Sequence, residues 1–242
     1  MDRFRASVSL KIRCCIIGCL LLGCALAVFG ISESENPELR RALEKMDRVA
    51  QNFKGFSADF SQASYVAIIE EFGLPDTGSF YYSPAGDGSV RMRHEIVDPG
   101  SRILTITEGV ATLFEARIKQ ATIYRLGKRK DLVEYLALGI GQSSDQLKKK
   151  FDVSYEGSGE IGDDLCWILL LKPREKSVTS HITAIKIWLK KSDGTPAQYE
   201  FYQPSEDYLR ETFSNGKLHD KRMDDSLFEQ KIPKGVEIMR IQ

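Results

Sequence analysis

Residues 53–62 read FKGFSADFSQ, and the change of period inside that stretch decides the fold class. Before Gly55 the apolar residues recur every three or four positions: Leu39, Ala42, Leu43, Met46, Val49, Ala50 and Phe53. Arg40, Arg41, Glu44, Lys45 and Asp47 fall on the other side. That is one face of an amphipathic helix. Asn36-Pro37 supplies its start, an N-cap acceptor followed by proline at the first helical position, and Gly55 reads as its stop. After Gly55 the period becomes two, with Phe56, Ala58 and Phe60 alternating against Ser57, Asp59 and Ser61. A helix over 37–54 therefore feeds directly into a half-buried strand.

Working toward the C-terminus, turn signals recur at 74–78 (LPDTG), 84–88 (PAGDG), 98–100 (DPG) and 108–109 (EG). Short strand-like runs lie between them: GSFYYS, SVRMRHEIV, SRILTIT, ATLFEA and KQATIYRL. Strands at this spacing predict an antiparallel meander that closes as a barrel or sandwich. The alternation breaks at Lys130, where Leu132, Val133, Tyr135, Leu136, Leu138 and Ile140 read as a short apolar helix ended by Gly139 and Gly141. Ser144 opens a second short helix to Lys150. Strands resume at FDVSYEG, DLCWILLLK, ITAIKIWLK, AQYEFYQ and DYLRETF, with Asp193-Gly194 and Asn215-Gly216 as hairpin turns, and VEIMRI closes the chain. The expected class is α+β and mainly β, an antiparallel sheet curled around a helical insert. No internal repeat or second domain is evident.

Working toward the N-terminus, Arg3, Arg5, Lys11 and Arg13 precede 18 uncharged residues, Cys14 to Ile31. That pattern reads as a secretory signal over 1–27, with Ala25-Leu26-Ala27 as the cleavage site. Two other readings stay open. Leu21-Leu22-Gly23-Cys24 resembles a lipobox that would leave Cys24 as a lipidated N-terminus, with Ile16-Ile17-Gly18-Cys19 as a rival, and the apolar run is barely long enough for an uncleaved anchor. A single domain would then occupy 28–242. Of the five cysteines only Cys166 lies beyond the signal, so a disulfide framework is excluded. Cys166 sits in an apolar strand run with no histidine near it in sequence, the pattern of an inert buried thiol.

The 34 basic and 34 acidic residues balance, which argues against a nucleic-acid binder. Without residues 1–27 the balance is 30 against 33, slightly acidic. The three histidines, His94, His181 and His219, have no zinc-binding spacing, so neither a metal nor another cofactor is expected. No G-x-S-x-G surrounds Ser83, Ser158 or Ser180, no P-loop or dinucleotide fingerprint is present, and the expectation is a protein that is not an enzyme. Asp163-Asp164 and Asp224-Asp225 read as solvated turns. The basic runs Lys128–Lys130 and Lys148–Lys150 flank the helical insert and read as solvated charge. His94 alternates with Val90, Met92 and Ile96 and reads as a core-edge residue.

The order of these segments resembles the LolA family of periplasmic lipoprotein carriers across nearly the whole region after the signal. Phe56, Ala58, Phe60 and Gln62 resemble the opening strand, GSFYYSP with Pro84 the next, SVRMRHEIVDP an Arg-containing strand before proline, and KQATIYRL the strand before the lid. QSSDQLKKKFDVSYEG resembles the second lid helix and its strand. Phe228, Pro233, Gly235 and Val236 resemble the terminal motif. The resemblance implies a half-closed antiparallel barrel with a helical lid, helices about 37–54 and 131–150, over an apolar cavity. It implies a monomer that takes a lipoprotein from an inner-membrane releasing transporter and passes it to an outer-membrane acceptor lipoprotein, with the acyl chains in the cavity. The expected lining is Leu43, Met46, Leu132, Leu136 and Ile140 from the lid, with Phe60, Phe80, Tyr82, Met92, Leu104, Ile106, Leu113 and Trp188 from the sheet. Where the family often has a lid-latching arginine this chain has Ser83, and Arg91 or Arg93 would substitute from the neighbouring strand. A tethered lipid- or lipoprotein-sensing module on the same fold is the alternative.

Overall fold

The computed structural model describes residues 36–85, 89–127 and 137–241. The signal with Cys24, the Lys128–Lys130 run, and Leu132 and Leu136 lie outside the described residues.

Helix α1 spans Pro37–Gln51. The Asn36 side chain accepts from the amides of Glu38 (2.9 Å) and Leu39 (3.2 Å), the N-cap read from the sequence. The helix stops at Asn52, short of Gly55. Gly55 has another role: a Cβ there would lie 2.6 Å from the Met223 sulfur, so glycine permits a close approach. Helix α2, Ser144–Lys150, is capped by Ser143 with Gln146 in a capping box, one residue earlier than expected. Ser144 instead ties the helices together: its amide (2.7 Å) and its hydroxyl (2.8 Å) both donate to the Asp47 carboxylate on α1.

Among the described residues, thirteen strands form one sheet: β1 (Phe56–Val66), β2 (Glu71–Phe72), β3 (Asp76–Pro84), β4 (Val90–Asp98), β5 (Arg102–Thr107), β6 (Val110–Glu115), β7 (Gln120–Arg125), β8 (Phe151–Ile161), β9 (Asp164–Pro173), β10 (Ala184–Lys190), β11 (Pro196–Tyr202), β12 (Tyr208–Leu218) and β13 (Glu237–Ile241). The spatial order is β13-β7-β6-β5-β4-β3-β1-β12-β11-β10-β9-β8, with β2 beside β1. The edge strands β13 and β8 do not pair with each other among the described residues, so the barrel is half open. Two readings are corrected. Asn215-Gly216 is not a turn; β12 runs through it, and Asn215 takes its φ of 53° at the register shift opposite Ser57 and Asp59. The last strand is parallel to β7, not antiparallel.

The concave face carries the core. Phe56, Phe60, Phe80, Phe213 and Tyr199 pack in the crook of the sheet, with neighbouring rings 5.6–6.3 Å apart for the pairs among Phe56, Phe80, Phe213 and Tyr199. Leu39, Leu43 and Met46 of α1 cover the β8–β10 half, joined by Leu138 and Ile140. Trp167 Nε1 donates to Glu38 (2.8 Å), fixing the helix start to β9 and holding the Glu38 carboxyl below its ordinary pKa. The Tyr199 hydroxyl, fully buried and held neutral by that burial, donates to the Leu138 carbonyl. The convex face of β4 and β5 is also covered, because the segment after β12 folds back over it with Met223 and Phe228 buried.

The β3–β4 pairing leaves no room at Gly78, where a Cβ would lie 1.8 Å from the Glu95 carbonyl oxygen. Gly78→Ala is expected to lower stability by about 3 kcal/mol in urea unfolding. Gly100→Ala, at a φ of +77° with nothing within 4 Å, should cost only about 1 kcal/mol.

Candidate functional site

The helices fill only one half of the concave face. The other half holds a cavity of about 650 Å³ between β3–β6 on one side and β11–β12 with the Ser180–Ile182 turn on the other. That volume lies in the range of small-molecule and lipid pockets. Phe80, Met92, Ile96, Leu104 and Leu113 form one wall, and Ile182, Phe201, Pro204 and Leu209 the other. Strand alternation puts them there, since inward positions along a strand are two residues apart.

The floor of this apolar space is polar. His94 and Glu211 line it, their side chains 16% and 9% exposed, with His94 Nε2 3.3 Å from Glu211 Oε1. The imidazole stacks on Phe60, ring centroids 4.1 Å apart, which fixes its orientation. Gln62 lies beside them, opposite Glu211 in the β1–β12 pairing. Arg102 and Glu115 face each other across β5 and β6 at the rim, and Arg102 pairs with Asp76.

Of the residues expected from the sequence, Phe80, Met92, Leu104 and Leu113 are brought together as cavity wall. Met46, Phe60, Ile106 and Ile140 are buried core away from this cavity, and Leu43, also core, borders a separate pocket of about 450 Å³ between α1, α2 and β8. Tyr82 is core as well and borders a smaller pocket of about 310 Å³ against α2. Trp188 is a correction. On β10 the inward residues are Ile185, Ile187 and Leu189, each 0–1% exposed, so Trp188 falls on the opposite face, with Lys186 Nζ 5.9 Å from its ring. The parity was visible in the sequence, where Trp188 alternates in step with Lys186 and Lys190. Sequence reasoning missed Glu211 and Gln62. Their signal was a Glu in step with Leu209 and Phe213, and a Gln in step with Phe60.

The expected latch is also corrected. Ser83 and Arg91 face the convex side, away from α2. The Ser83 hydroxyl donates to the Lys54 carbonyl (2.9 Å) and accepts from Arg91 Nη2 (3.1 Å). Arg91, 4% exposed, pairs with Asp225 and lies 4.7 Å over the Phe228 ring. Arg93 pairs with Glu95 at 2.7 Å. What joins helix to helix among the described residues is the Asp47–Ser144 contact. Cys166 is fully buried, and that burial, with Asp164 nearby, pushes its thiol up to about 11, so it stays protonated near neutrality.

The half-open sheet with helices on its concave face is the architecture that the family resemblance implies. That fold is shared with solved structures. Among solved structures, an uncharacterized conserved protein from Thermus thermophilus superposes with a TM-score of 0.53 at 14% identity, over 84% of this chain and 99% of its own. MucB superposes with a TM-score of 0.51 at 14% identity, over 85% of this chain but only 66% of the MucB chain. A LolA superfamily protein, NE2245 from Nitrosomonas europaea, aligns at a TM-score of 0.36 and 14% identity, over 79% of this chain and 97% of its own. At 14% identity the likeness to the first two is one of fold. No protein-family model matches the sequence, and no curated protein matches it.

Burial, with Arg222 nearby, lowers the Arg91 pKa, yet the guanidinium stays charged and needs its partner. Asp225→Asn leaves that charge buried and should cost about 2 kcal/mol. Arg91→Met keeps the packing on Phe228 and leaves Asp225 its exposed pair with Arg222, so it should cost less. Tryptic cleavage after Lys221 and Arg222 should accelerate at least several-fold in the Asp225 variant.

Proposed function

We propose that this chain is a periplasmic carrier, not an enzyme, that holds lipid or lipoprotein acyl chains in the concave cavity and moves them between membranes. The observation that carries the reading is an open, apolar-walled cavity of about 650 Å³ on a face that the helices leave half uncovered. Each methylene moved from water into such a site gains roughly 0.8 kcal/mol, so a chain of about 14 methylenes represents on the order of 10 kcal/mol that must be shielded in water. Acyl chains need little directional chemistry, so wall residues of any apolar type serve. In the same reading the donor is an inner-membrane lipoprotein-releasing transporter and the recipient an outer-membrane acceptor. The Asp47–Ser144 tie between α1 and α2 supports a helical layer that moves as a unit.

A second reading, a membrane-tethered module that senses lipid or lipoprotein and signals by protein contact, is favoured by one feature. The tip joining β1 to β3 exposes Ile68 (92%), Leu74 (91%), Ile69 (59%) and Phe72 (43%), and no Lys or Arg occurs between Lys54 and Arg91. An apolar, acidic tip of this kind suits a partner surface. The intact mass of the protein from its own cell envelope separates the two: an N-terminus at Val28 without lipid supports the soluble carrier, and a lipid mass on Cys24 supports the tethered module.

The cavity itself is tested with 1-N-phenylnaphthylamine, whose fluorescence rises in apolar sites. Leu104→Arg and Leu113→Asp should weaken dye binding at least tenfold while far-UV circular dichroism stays native. Ile69→Ser at the tip should leave it unchanged. Equal binding by all variants would refute the cavity as the acyl site.

A further inference from the structure

We infer that the cavity floor selects an amphiphile with a neutral, hydroxyl-bearing head of the acylglycerol type, over a free fatty acid or an alkyl amine. This rests on the acyl-binding reading above and adds to it which head the cavity takes.

A cavity that served hydrocarbon alone would be lined by apolar groups throughout, because every polar atom it faces loses water when the chain enters. Here positions 94 and 211 both point inward among Phe80, Met92 and Leu209, and both are polar. His94 Nε2 meets Glu211 Oε1 at 3.3 Å, which leaves Nδ1 of the ring and the second Glu211 oxygen for a ligand. No hydrogen bond among the described residues uses either atom or the Gln62 side-chain amide, and none is sealed from the cavity as a fully buried unpaired atom. The floor thus offers a ring nitrogen, a carboxylate oxygen and one amide that both donates and accepts. A glycerol head supplies the complement: one hydroxyl, donor and acceptor both, that pairs with His94 Nδ1, another that donates to Glu211, and an ester carbonyl that accepts from Gln62.

The competing heads fit less well for stated reasons. A carboxylate is acceptor-only and would meet the carboxylates of Glu211 and, at the rim, Glu115, while the nearby cation Arg102 gives Nη2 to Asp76 and keeps its unpaired Nε fully buried, out of a ligand's reach. An ammonium could donate but would be desolvated beside an apolar wall, with Glu211 already shared with His94.

The test is dye displacement from the full protein by 1-monoolein, oleic acid and oleylamine, which carry the same chain length under three heads. The expected result is displacement by monoolein at roughly tenfold lower concentration than by either charged amphiphile, the preference that one hydrogen bond to a charged group supports. Gln62→Leu, at a half-buried position whose side chain makes no hydrogen bond, should retain the fold and reduce the preference. Glu211→Leu should abolish it while the dye still binds. Equal displacement by all three with dye bound normally, or a preference that survives both substitutions, overturns head selection and leaves the acyl cavity standing. Failure of the dye to bind, or dye binding indifferent to Leu104→Arg, overturns both.

Discussion

The structure depends on how far one sheet bends. His94 on β4 and Glu211 on β12 are separated by β3 and β1, three strand spacings that would span about 14 Å on a flat sheet, yet their side chains lie 3.3 Å apart. Only a tight inward curl brings them together. The aromatic side chains in the crook define that curl: Phe56, Phe60, Phe80, Phe213 and Tyr199 fill the space where the concave face is narrowest. Away from the crook the two arms of the sheet diverge. Over β8–β10 the gap is filled by α1 and the segment 137–151, while over β3–β6 it is left open. The cavity is thus the part of the concave face that neither the crook nor the helices reach.

That division explains which sequence signals were sufficient. Local chemistry was legible wherever one residue type serves one purpose: Asn36-Pro37 capped α1, and Asp193 Oδ1 accepts from the Thr195 amide (2.8 Å) in the turn before β11. Period-two alternation placed Phe80, Met92, Leu104 and Leu113 on the right face. The failures occurred where one signal serves two geometries. Asn215-Gly216 supplies a left-handed backbone, which a hairpin turn and a strand irregularity both use, and only the pairing partner decides between them. Trp188 was chosen for size against its own alternation with Lys186 and Lys190. The face that Arg91 points to was legible, but its burial was not, because the segment that covers it lies more than 130 positions away.

The covered convex face also changes what an inward-facing residue means. In a sheet with one solvated face, buried positions identify the core directly. Here Ser83, Arg91 and Thr105 are buried on the convex side, where the returning C-terminal segment covers β4 and β5, so burial alone does not mark the concave face. Sequence periodicity could separate the two faces of each strand but not tell that both are covered.

The polar floor bears on why the cavity persists. A sheet arm can always gain by closing over apolar neighbours, and a fully apolar pocket with movable walls tends to collapse. Closing the wall residues Leu104 and Leu113 onto Ile182 and Phe201 would strip the remaining water from His94, Glu211 and Gln62, at a cost that apolar contact alone must offset. The same three residues that give a cargo head its hydrogen bonds therefore oppose collapse when the cavity is empty. Stability of the open form and recognition of a polar head are two consequences of placing an acid–imidazole pair where the alternation of β4 and β12 calls for leucine.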